Sequence, residues 1–163
     1  MKIDFVYSIY NEISEYVTMI THPKDYSFLR SVVWNPLFIL KGCINRKKNL
    51  IRAKKSWKPI ESDVSKAFRN LNLKLKEEVI TCYVHNTGCE GGFNVDSNRI
   101  HVRISRVNEG EFLGAVIHEL VHLATTKKGQ DYTEGENITD SYLAKKPLSD
   151  ILKRIGDRPQ SKL

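Results

Sequence analysis

The sequence predicts an α+β fold, because two regions with helical spacing of apolar residues flank a short stretch with the alternating pattern of β-strands. The chain has 163 residues, of which 40% are hydrophobic and 28% charged, so it is long enough to bury one core. We therefore predict a single domain, 1–163, with a helical N-terminal part, residues 1–75, and a C-terminal core, residues 76–163.

The N-terminal part is predicted to consist of helices. Apolar residues recur at helical spacing from Ile3 to Ile20, and His22-Pro23 ends this pattern because a residue before proline avoids the helical region. The apolar segment from Phe28 to Leu40 predicts a helix with a break near Pro36. From Ser62 to Leu75, apolar residues again mark one face of a helix.

Two β-prone runs, Val79 to Val84 and Arg99 to Ser105, follow with turn residues between them. In the second run, apolar and polar residues alternate, which predicts one face against the core and one face in water. We expect the two strands to be joined by a long loop in a small antiparallel or mixed sheet. The second run is predicted to be an edge strand of that sheet.

The last third of the chain is predicted to be helical again. Asn108 is a candidate N-cap followed by acidic residues in the first turn, so a helix is expected from about Gly110 to Thr125. A loop is predicted over Gln130 to Gly135, and a second helix from Glu136 to Lys146. A short final helix is predicted over Leu148 to Ile155.

The first of these helices carries the H-E-x-x-H arrangement as His118-Glu119-Leu120-Val121-His122. Because residues four apart lie on one helix face, His118 and His122 can bind one divalent ion while Glu119 reaches a water molecule beside it. Zinc suits such ligands and lowers the pKa of bound water to about 7. Buried without partners, the three polar side chains would each cost about 1–3 kcal/mol.

A catalytic zinc site needs a third protein ligand. No histidine follows His122, which argues against a metzincin, since the third ligand of a metzincin is a later histidine. The candidates are therefore the acidic residues that follow the motif, namely Asp131, Glu134, Glu136 and Asp140.

Glu136 and Asp140 are four residues apart in Glu-Asn-Ile-Thr-Asp on the predicted second helix. Together with H-E-L-V-H, this segment resembles the gluzincin group of zinc metallopeptidases, the thermolysin-like group, and its short connection resembles the compact minigluzincins. The resemblance, which covers Ala115 to Ala144, implies a zincin-like fold with the third ligand on the second helix. It implies that Glu136 is this ligand and that Asp140 accepts a hydrogen bond from a ligating histidine.

Other assignments stay open at this point. Glu134-Gly135 resembles the Glu-Gly pair of other H-E-x-x-H peptidases with a glutamate ligand, and Asp131 resembles the aspartate ligand of aspzincins. Cys89 is a further candidate ligand, as in a deformylase-like site. Tyr132 and Tyr142 lie close in sequence to the ligands, and a tyrosine hydroxyl can stabilise a developing oxyanion.

The pairing of both motifs predicts a zinc-dependent metallopeptidase that cleaves peptide or protein substrates. Zn²⁺ would be held by His118, His122 and Glu136, and Glu119 would act as general base. The substrate is expected to lie extended along the strand Arg99 to Ser105. The first 75 residues either complete the upper lobe of the fold or cover the cleft, in which case the enzyme is latent.

A second hypothesis comes from the charge distribution. The formal net charge is +7, and Lys41 to Lys58 holds eight Lys and Arg residues and no acidic residue. This segment is typical of a module that binds nucleic acid or an anionic surface, with a structural metal at the H-E-x-x-H motif. The peptidase hypothesis and the binding hypothesis are compatible if the basic segment brings a peptidase to a charged partner.

The remaining observations concern location and cysteine chemistry. Three cysteines are too few for a disulfide framework, although a Cys82–Cys89 bridge stays open. We recognise no signal peptide and no run of about 20 apolar residues, so a cytoplasmic monomer without a transmembrane segment is expected. The other histidines, His22, His85 and His101, are isolated in the sequence and are assigned no role.

Overall fold

The computed structural model describes residues 1–22 and 35–156, which form a four-stranded sheet and six helices. The strands are β1 (Lys2–Val6), β2 (Val79–His85), β3 (Gly91–Asn94) and β4 (Arg99–Arg103). The helices are α1 (Ile9–Thr21), α2 (Leu37–Trp57), α3 (Glu61–Asn70), α4 (Glu109–Thr125), α5 (Tyr132–Leu143) and α6 (Leu148–Ile155). The predicted α+β class is confirmed.

The sheet is mixed and has the strand order β1-β2-β4-β3. Strands β1 and β4 both run parallel to β2, whereas β3 runs antiparallel to β4. The prediction that Arg99 to Ser105 is an edge strand is therefore wrong, since β4 has a neighbour on each side. Its polar face is only partly in water, because Arg103 is buried and His101 contacts Glu15 of α1, while Arg99 is exposed. The strands at the two edges are β1 and β3, and for β3 the sequence indicated only a loop.

The first strand corrects a second prediction. Residues 2–6 belong to β1 and not to a helix, because Ile3 and Phe5 are buried and Lys2 and Asp4 are exposed. The sequence misled here because an apolar pattern at positions 3, 5 and 6 fits the start of a helical face as well as a strand. Helix α1 begins later, at Ile9, and ends at Thr21 as predicted.

Only part of the segment between α1 and α2 can be compared with the prediction. Of the predicted helix from Phe28 to Leu40, the residues before position 35 lie outside the described residues. Helix α2 begins at Leu37, directly after Pro36, so a helix start is found where the break was predicted. Helix α3 ends at Asn70, and Leu73 beyond it is still buried.

The C-terminal helices follow the prediction closely, with one difference at α5. Asn108 caps α4 as expected, and it forms a capping box with Glu111. Helix α5 begins at Tyr132, four residues earlier than predicted, because the Asp131 side chain accepts the N–H of Glu134 and caps the first turn. The predicted loop is therefore largely helix.

The hydrophobic core joins the N-terminal part to the C-terminal part. The Phe5 ring of β1 lies 6.4 Å from the Trp57 ring of α2 and 6.2 Å from the Phe112 ring of α4, measured between centroids. Val64 of α3 and Leu148 of α6 are fully buried in the same cluster. None of the helices in the described parts of the chain has the length and apolar character needed to cross a membrane.

Candidate metal centre

Two adjacent helices bring three potential metal ligands together. His118 and His122 lie one turn apart on α4, and Glu136 lies on α5, which packs against α4. The two histidine Nε2 atoms are 3.0 Å apart. The carboxylate of Glu136 places Oε2 3.4 Å from His118 Nε2 and Oε1 3.1 Å from His122 Nε2. The structure therefore groups the three residues that the sequence predicted as ligands.

The separations between these atoms fit a tetrahedral ion. Three ligands at bond lengths of about 2.0–2.2 Å, as zinc makes with imidazole and carboxylate, stand about 3.3–3.6 Å apart at tetrahedral angles. The separations in this cluster, 3.0, 3.1 and 3.4 Å, are within a few tenths of an ångström of that range. The donor set of two imidazole nitrogens and one carboxylate oxygen can thus hold a divalent metal.

The electrostatics of the three ligands favour an ionised carboxylate. Burial by itself would raise the pKa of Glu136, but hydrogen bonds and charge from His118 and His122 outweigh it and lower that pKa. Burial also disfavours a charged His118, whereas Glu136, Glu119 and Asp140 raise the pKa of His118 above its usual value. The Glu136 carboxylate is therefore ionised beside the two imidazoles, which is the form that a metal ligand needs.

Glu119 lies next to His118 on α4, and its side chain is buried beside Gly91 of β3. Its side chain is 8% exposed, and burial raises the pKa of its carboxyl group to about 7. A Cβ atom added at Gly91 of β3 would lie 2.7 Å from Glu119 Oε1, so glycine is needed where the edge strand passes this carboxylate. A carboxyl group with this pKa can accept and release a proton near neutral pH.

Two residues that the sequence did not indicate hold the His122 ring. Phe93 of β3 stacks on it, with ring centroids 4.5 Å apart and ring planes 6° apart. Thr139 of α5 is fully buried, and its Oγ1 lies 3.1 Å from His122 Nδ1. Thr139 lies three residues after Glu136 on the same helix face, which is the signal that could have identified it.

Asp140 was predicted to orient a ligating histidine. It acts on His118, whereas Thr139 contacts His122. The charge of Asp140 contributes to raising the pKa of His118, so its carboxylate acts on that imidazole. The hydrogen-bond partner of His122 Nδ1 is the Thr139 hydroxyl. That Asp140 orients a ligating histidine stays a prediction, with His118 as the histidine concerned.

The other candidate ligands lie apart from the two histidines. Asp131 caps α5, since its Oδ1 accepts the N–H of Glu134 at 3.2 Å, and both residues are exposed. Glu134 is two positions before Glu136, so its side chain leaves the helix on a different side. Cys89 belongs to another group of potential ligands, described below. Among the described residues, only Glu136 joins His118 and His122 in such a group.

Of the two tyrosines considered, one lies at the candidate centre. Tyr132 is the first residue of α5, and the charge of Glu136 acts on its hydroxyl. Burial of this hydroxyl, together with the charge of Glu136, raises the pKa of Tyr132 to about 12, so the hydroxyl keeps its proton. Tyr142 instead packs against the core, and Lys145 lies 4.3 Å from the centroid of its ring.

A second group of potential ligands lies on the other face of the sheet. It contains Glu15 of α1, Cys89 of the β2–β3 connection and His101 of β4, whose ligand atoms all lie within 4.8 Å of one another. Burial lowers the pKa of His101 to about 4 and that of the neighbouring His85 to about 3, so both rings are neutral near pH 7. The sequence assigned no role to either histidine, because they are 16 residues apart and only the parallel pairing of β2 and β4 brings them together.

The basic segment lies on α2 and is partly used within the fold. Arg52 donates hydrogen bonds to the carbonyl oxygens of Ile104 and Val107, at 3.1 and 2.9 Å, so it fixes the connection from β4 to α4. The same helix exposes Ile44 and Ile51, which gives its outer surface a mixed basic and apolar character. Binding of nucleic acid or an anionic surface through Lys41 to Lys58 stays a prediction.

No disulfide joins the three cysteines of the chain. Cys43, Cys82 and Cys89 are all free thiols, so the bridge between Cys82 and Cys89 left open by the sequence is not formed in this structure.

The chain matches no protein-family model, no curated protein and no solved structure. What the candidate centre can do therefore follows from its own residues.

Proposed function

We propose that this chain is a zinc-dependent metallopeptidase of the gluzincin type. The observation that carries the proposal is the convergence of His118, His122 and Glu136 around one point, with the buried carboxyl group of Glu119 beside them. This arrangement supplies both parts of a hydrolytic centre, which are a metal site with three protein ligands and a general base. The resemblance of the two motifs to gluzincins gives the proposal its family.

Zinc, when bound by these three ligands, supplies a Lewis acid that polarises the peptide carbonyl and makes a water molecule more acidic. Glu119 then accepts a proton from the attacking water and passes it to the nitrogen of the leaving amine. Its raised pKa suits both steps, because a carboxyl group near 7 is neither a very weak base nor a very weak acid at neutral pH. Glu136 stays ionised as a ligand, consistent with its lowered pKa.

We propose that the substrate lies along β3 and not, as expected from the sequence, along β4. Strand β4 is paired on both sides and has no free edge, whereas β3 pairs only with β4 among the described strands. An extended peptide can add to such an edge through main-chain hydrogen bonds. Because Gly91 and Phe93 of β3 contact Glu119 and His122, a peptide on this edge would pass directly over the candidate centre.

Tyr132 is the group best placed to assist the carbonyl oxygen of the substrate. Its side chain is 65% exposed, and its hydroxyl is a proton donor near the charge of Glu136. A donor at this position can stabilise negative charge that develops on a carbonyl oxygen beside the ligands. We therefore assign Tyr132 the role that the sequence left open between two tyrosines.

The decisive experiment measures zinc content and peptide cleavage together on wild type, Glu119→Gln and Glu109→Gln. Glu109 lies on the same helix as Glu119 but is exposed in its first turn, so it controls for loss of one carboxylate. We expect wild type to bind about one zinc at the H-E-x-x-H site and to cleave members of a mixed peptide library. Glu119→Gln is expected to keep the zinc and lose activity by about 10²–10⁴-fold, while Glu109→Gln keeps both.

Two results would contradict the proposal. Undiminished cleavage by Glu119→Gln would remove the general base on which the mechanism depends. A folded wild-type protein that takes up no zinc at His118, His122 and Glu136, even after reconstitution, would show that the three residues form only an ion-paired cluster between two helices.

A further inference from the structure

The edge strand β3 separates two clusters of metal-binding side chains. Gly91 and Phe93 face Glu119 and His122 at the candidate metal centre. Gly92, between them, faces the opposite side of the sheet, where a Cβ atom would collide with the His101 ring. The His101 side chain is therefore on the face of the sheet that α1 covers, away from the H-E-x-x-H helix.

On this second face, the donor atoms of three elements converge. His101 Nδ1 of β4 lies 3.5 Å from Glu15 Oε1 of α1 and 3.4 Å from His85 Nε2 of β2. Cys89 lies in the connection between β2 and β3, and its sulfur completes a group with Glu15 and His101 in which all ligand atoms are within 4.8 Å. One sulfur, one carboxylate oxygen and two imidazole nitrogens are the donors typical of zinc and similar borderline-soft ions.

The hydrogen bonds around the cluster orient one of these donors. His85 Nδ1 lies 2.5 Å from the carbonyl oxygen of Thr87, which can only accept, so Nδ1 carries the proton. Nε2 of His85 therefore presents its lone pair toward His101. A backbone carbonyl that fixes the tautomer in this way is the usual partner of a metal-ligating histidine.

The connection that holds Thr87 and Cys89 is itself anchored from α1. The buried carboxylate of Glu12 accepts the backbone N–H groups of Asn86 and Thr87, at 2.7 and 2.8 Å, and also the Thr87 hydroxyl. Glu12 and Glu15 lie one turn apart on α1, so the helix that offers a ligand also fixes the loop that offers another. The donors are thus held in place by the fold.

The cluster is also accessible to an ion. Glu15 and His101 are about one quarter exposed and line an open cleft of about 260 Å³, together with His85 and Tyr83. Arg103 is a charged residue on this face, and its Nη2 atom lies 3.9 Å from Glu90 Oε1. Arg99 also lines this cleft, and within it the Glu15 carboxyl group faces the His101 imidazole and the Cys89 thiol.

We propose that Glu15, Cys89 and His101 bind a second divalent metal ion of the zinc class, with His85 Nε2 as the nearest fourth donor. Binding would release the thiol proton of Cys89, as thiolate coordination requires. Because the ligands come from α1, β4 and the β2–β3 connection, the ion would tie these elements together behind β3. The site is independent of the peptidase proposal, since it shares no residue with the H-E-x-x-H centre.

The test uses Co²⁺ as a spectroscopic probe on the reduced, metal-free full chain. Only the proposed site contains a cysteine ligand, so only this site gives a thiolate-to-cobalt charge-transfer band in the near ultraviolet. We expect two Co²⁺ ions per wild-type chain together with this band. Cys89→Ser should lose the band and one ion, whereas Cys43→Ser, the matched control on α2, should keep both.

Two further variants separate this proposal from the proposed function. His118→Ala should lose the ion of the H-E-x-x-H centre and keep the charge-transfer band. His101→Gln should weaken binding of the thiolate-bound ion by more than the about 10–100-fold that loss of a ligand's hydrogen-bond partner costs. Circular dichroism of each variant excludes loss of the fold as the cause.

Three outcomes would overturn the second site. These are a wild-type chain that binds a single Co²⁺ ion with no charge-transfer band, a band that persists in Cys89→Ser, and a band that disappears in Cys43→Ser. A chain with the thiolate-bound ion but no ion at His118 and His122 would support this proposal and count against the peptidase.

Discussion

Phe93 lies flat on His122, with ring centroids 4.5 Å apart and planes 6° from parallel. This contact joins the edge strand β3 to the middle of α4 and covers the side of the imidazole that faces the sheet. Thr139 holds the same ring through Nδ1, so His122 is fixed by an aromatic face and a hydroxyl group at once. A ligand fixed before the metal binds loses less conformational freedom on binding.

The first prediction concerns this stacked ring. We expect Phe93→Ala to lower the free energy of unfolding by about 2 kcal/mol, less than the about 3–5 kcal/mol of a fully buried phenylalanine, because Phe93 is only partly buried. Zinc affinity should fall as well, since His122 gains freedom. Urea unfolding and zinc competition with a chelator measure the two effects. Phe93→Leu, which keeps apolar volume but no ring, should recover most of the stability and less of the affinity.

The second prediction identifies the third ligand by a matched pair of substitutions. Glu136→Gln should lower the zinc content by about one ion per chain, the ion of the H-E-x-x-H centre, because an amide is a far weaker zinc ligand than the carboxylate that now contacts both histidines. Glu134→Gln, on the exposed side of α5, should bind zinc like wild type. Elemental analysis of the purified proteins gives the answer. Loss of zinc in Glu134→Gln with retention in Glu136→Gln would reverse the assignment.

The third prediction tests the partner of His122. Thr139→Val keeps the shape of the side chain but removes the hydroxyl next to Nδ1, so we expect zinc affinity to fall by about 10–100-fold. Thr139→Ser retains a hydroxyl and should restore most of the affinity. Chelator competition measures both variants. Equal affinities in Thr139→Val and wild type would show that the contact is packing alone.

The grouping of the three candidate ligands could be predicted because its signal is local. Residues 118, 122 and 136 lie on two helices whose periodicity and caps are visible in the sequence, and four-residue spacing places both histidines on one face. The capping box at Asn108 fixes where α4 begins. The bounds of α5 were misjudged: the helix ends at Leu143 and not at Lys146, and its start was placed too late because Asp131 was weighed as a ligand and not as a helix cap.

The sheet could not be predicted to the same extent because its signals are long-range. Strand β1 pairs with β2, more than seventy residues later in the chain, and nothing near Ile3 or Phe5 indicates this partner. Strand β3 consists of Gly91-Gly92-Phe93-Asn94, which indicates a turn when its contacts are ignored. The glycines are needed because Glu119 and His101 approach the strand from opposite faces, and that requirement appears only in three dimensions.

The fourth prediction addresses the N-terminal part, which the sequence left as either a lobe of the fold or a cover. A shortened chain that begins at Glu61 lacks β1 and the buried side chains of Ile3, Phe5 and Trp57. Each such side chain contributes about 1.5–3 kcal/mol of burial, and a whole domain is stable by only about 5–15 kcal/mol. We expect the shortened chain to show no cooperative thermal unfolding. A folded, active product would instead identify residues 1–60 as a removable cover.

The fifth prediction concerns Glu12, whose carboxylate is fully buried and accepts hydrogen bonds from Asn86 and Thr87. Glu12→Ala would leave these donors without a partner, at about 1–3 kcal/mol for each buried group, so we expect a loss of several kcal/mol in unfolding free energy. Glu12→Gln keeps an acceptor oxygen and should be much less destabilising at acidic pH. Urea unfolding at pH 5 compares the two variants.

The same residue gives a pH dependence with a defined sign. Burial outweighs the hydrogen bonds and raises the pKa of Glu12 above its usual value, so the folded protein binds more protons than the unfolded chain between the two pKa values. Its contribution to stability is therefore complete below the unfolded pKa and is lost as the pH rises through the folded pKa. Glu12→Gln does not titrate, whereas the neighbouring Glu15 and Tyr7 titrate in both proteins. In metal-free protein, the stability of Glu12→Gln relative to wild type should rise across this window, and parallel pH curves for the two proteins would refute the assignment.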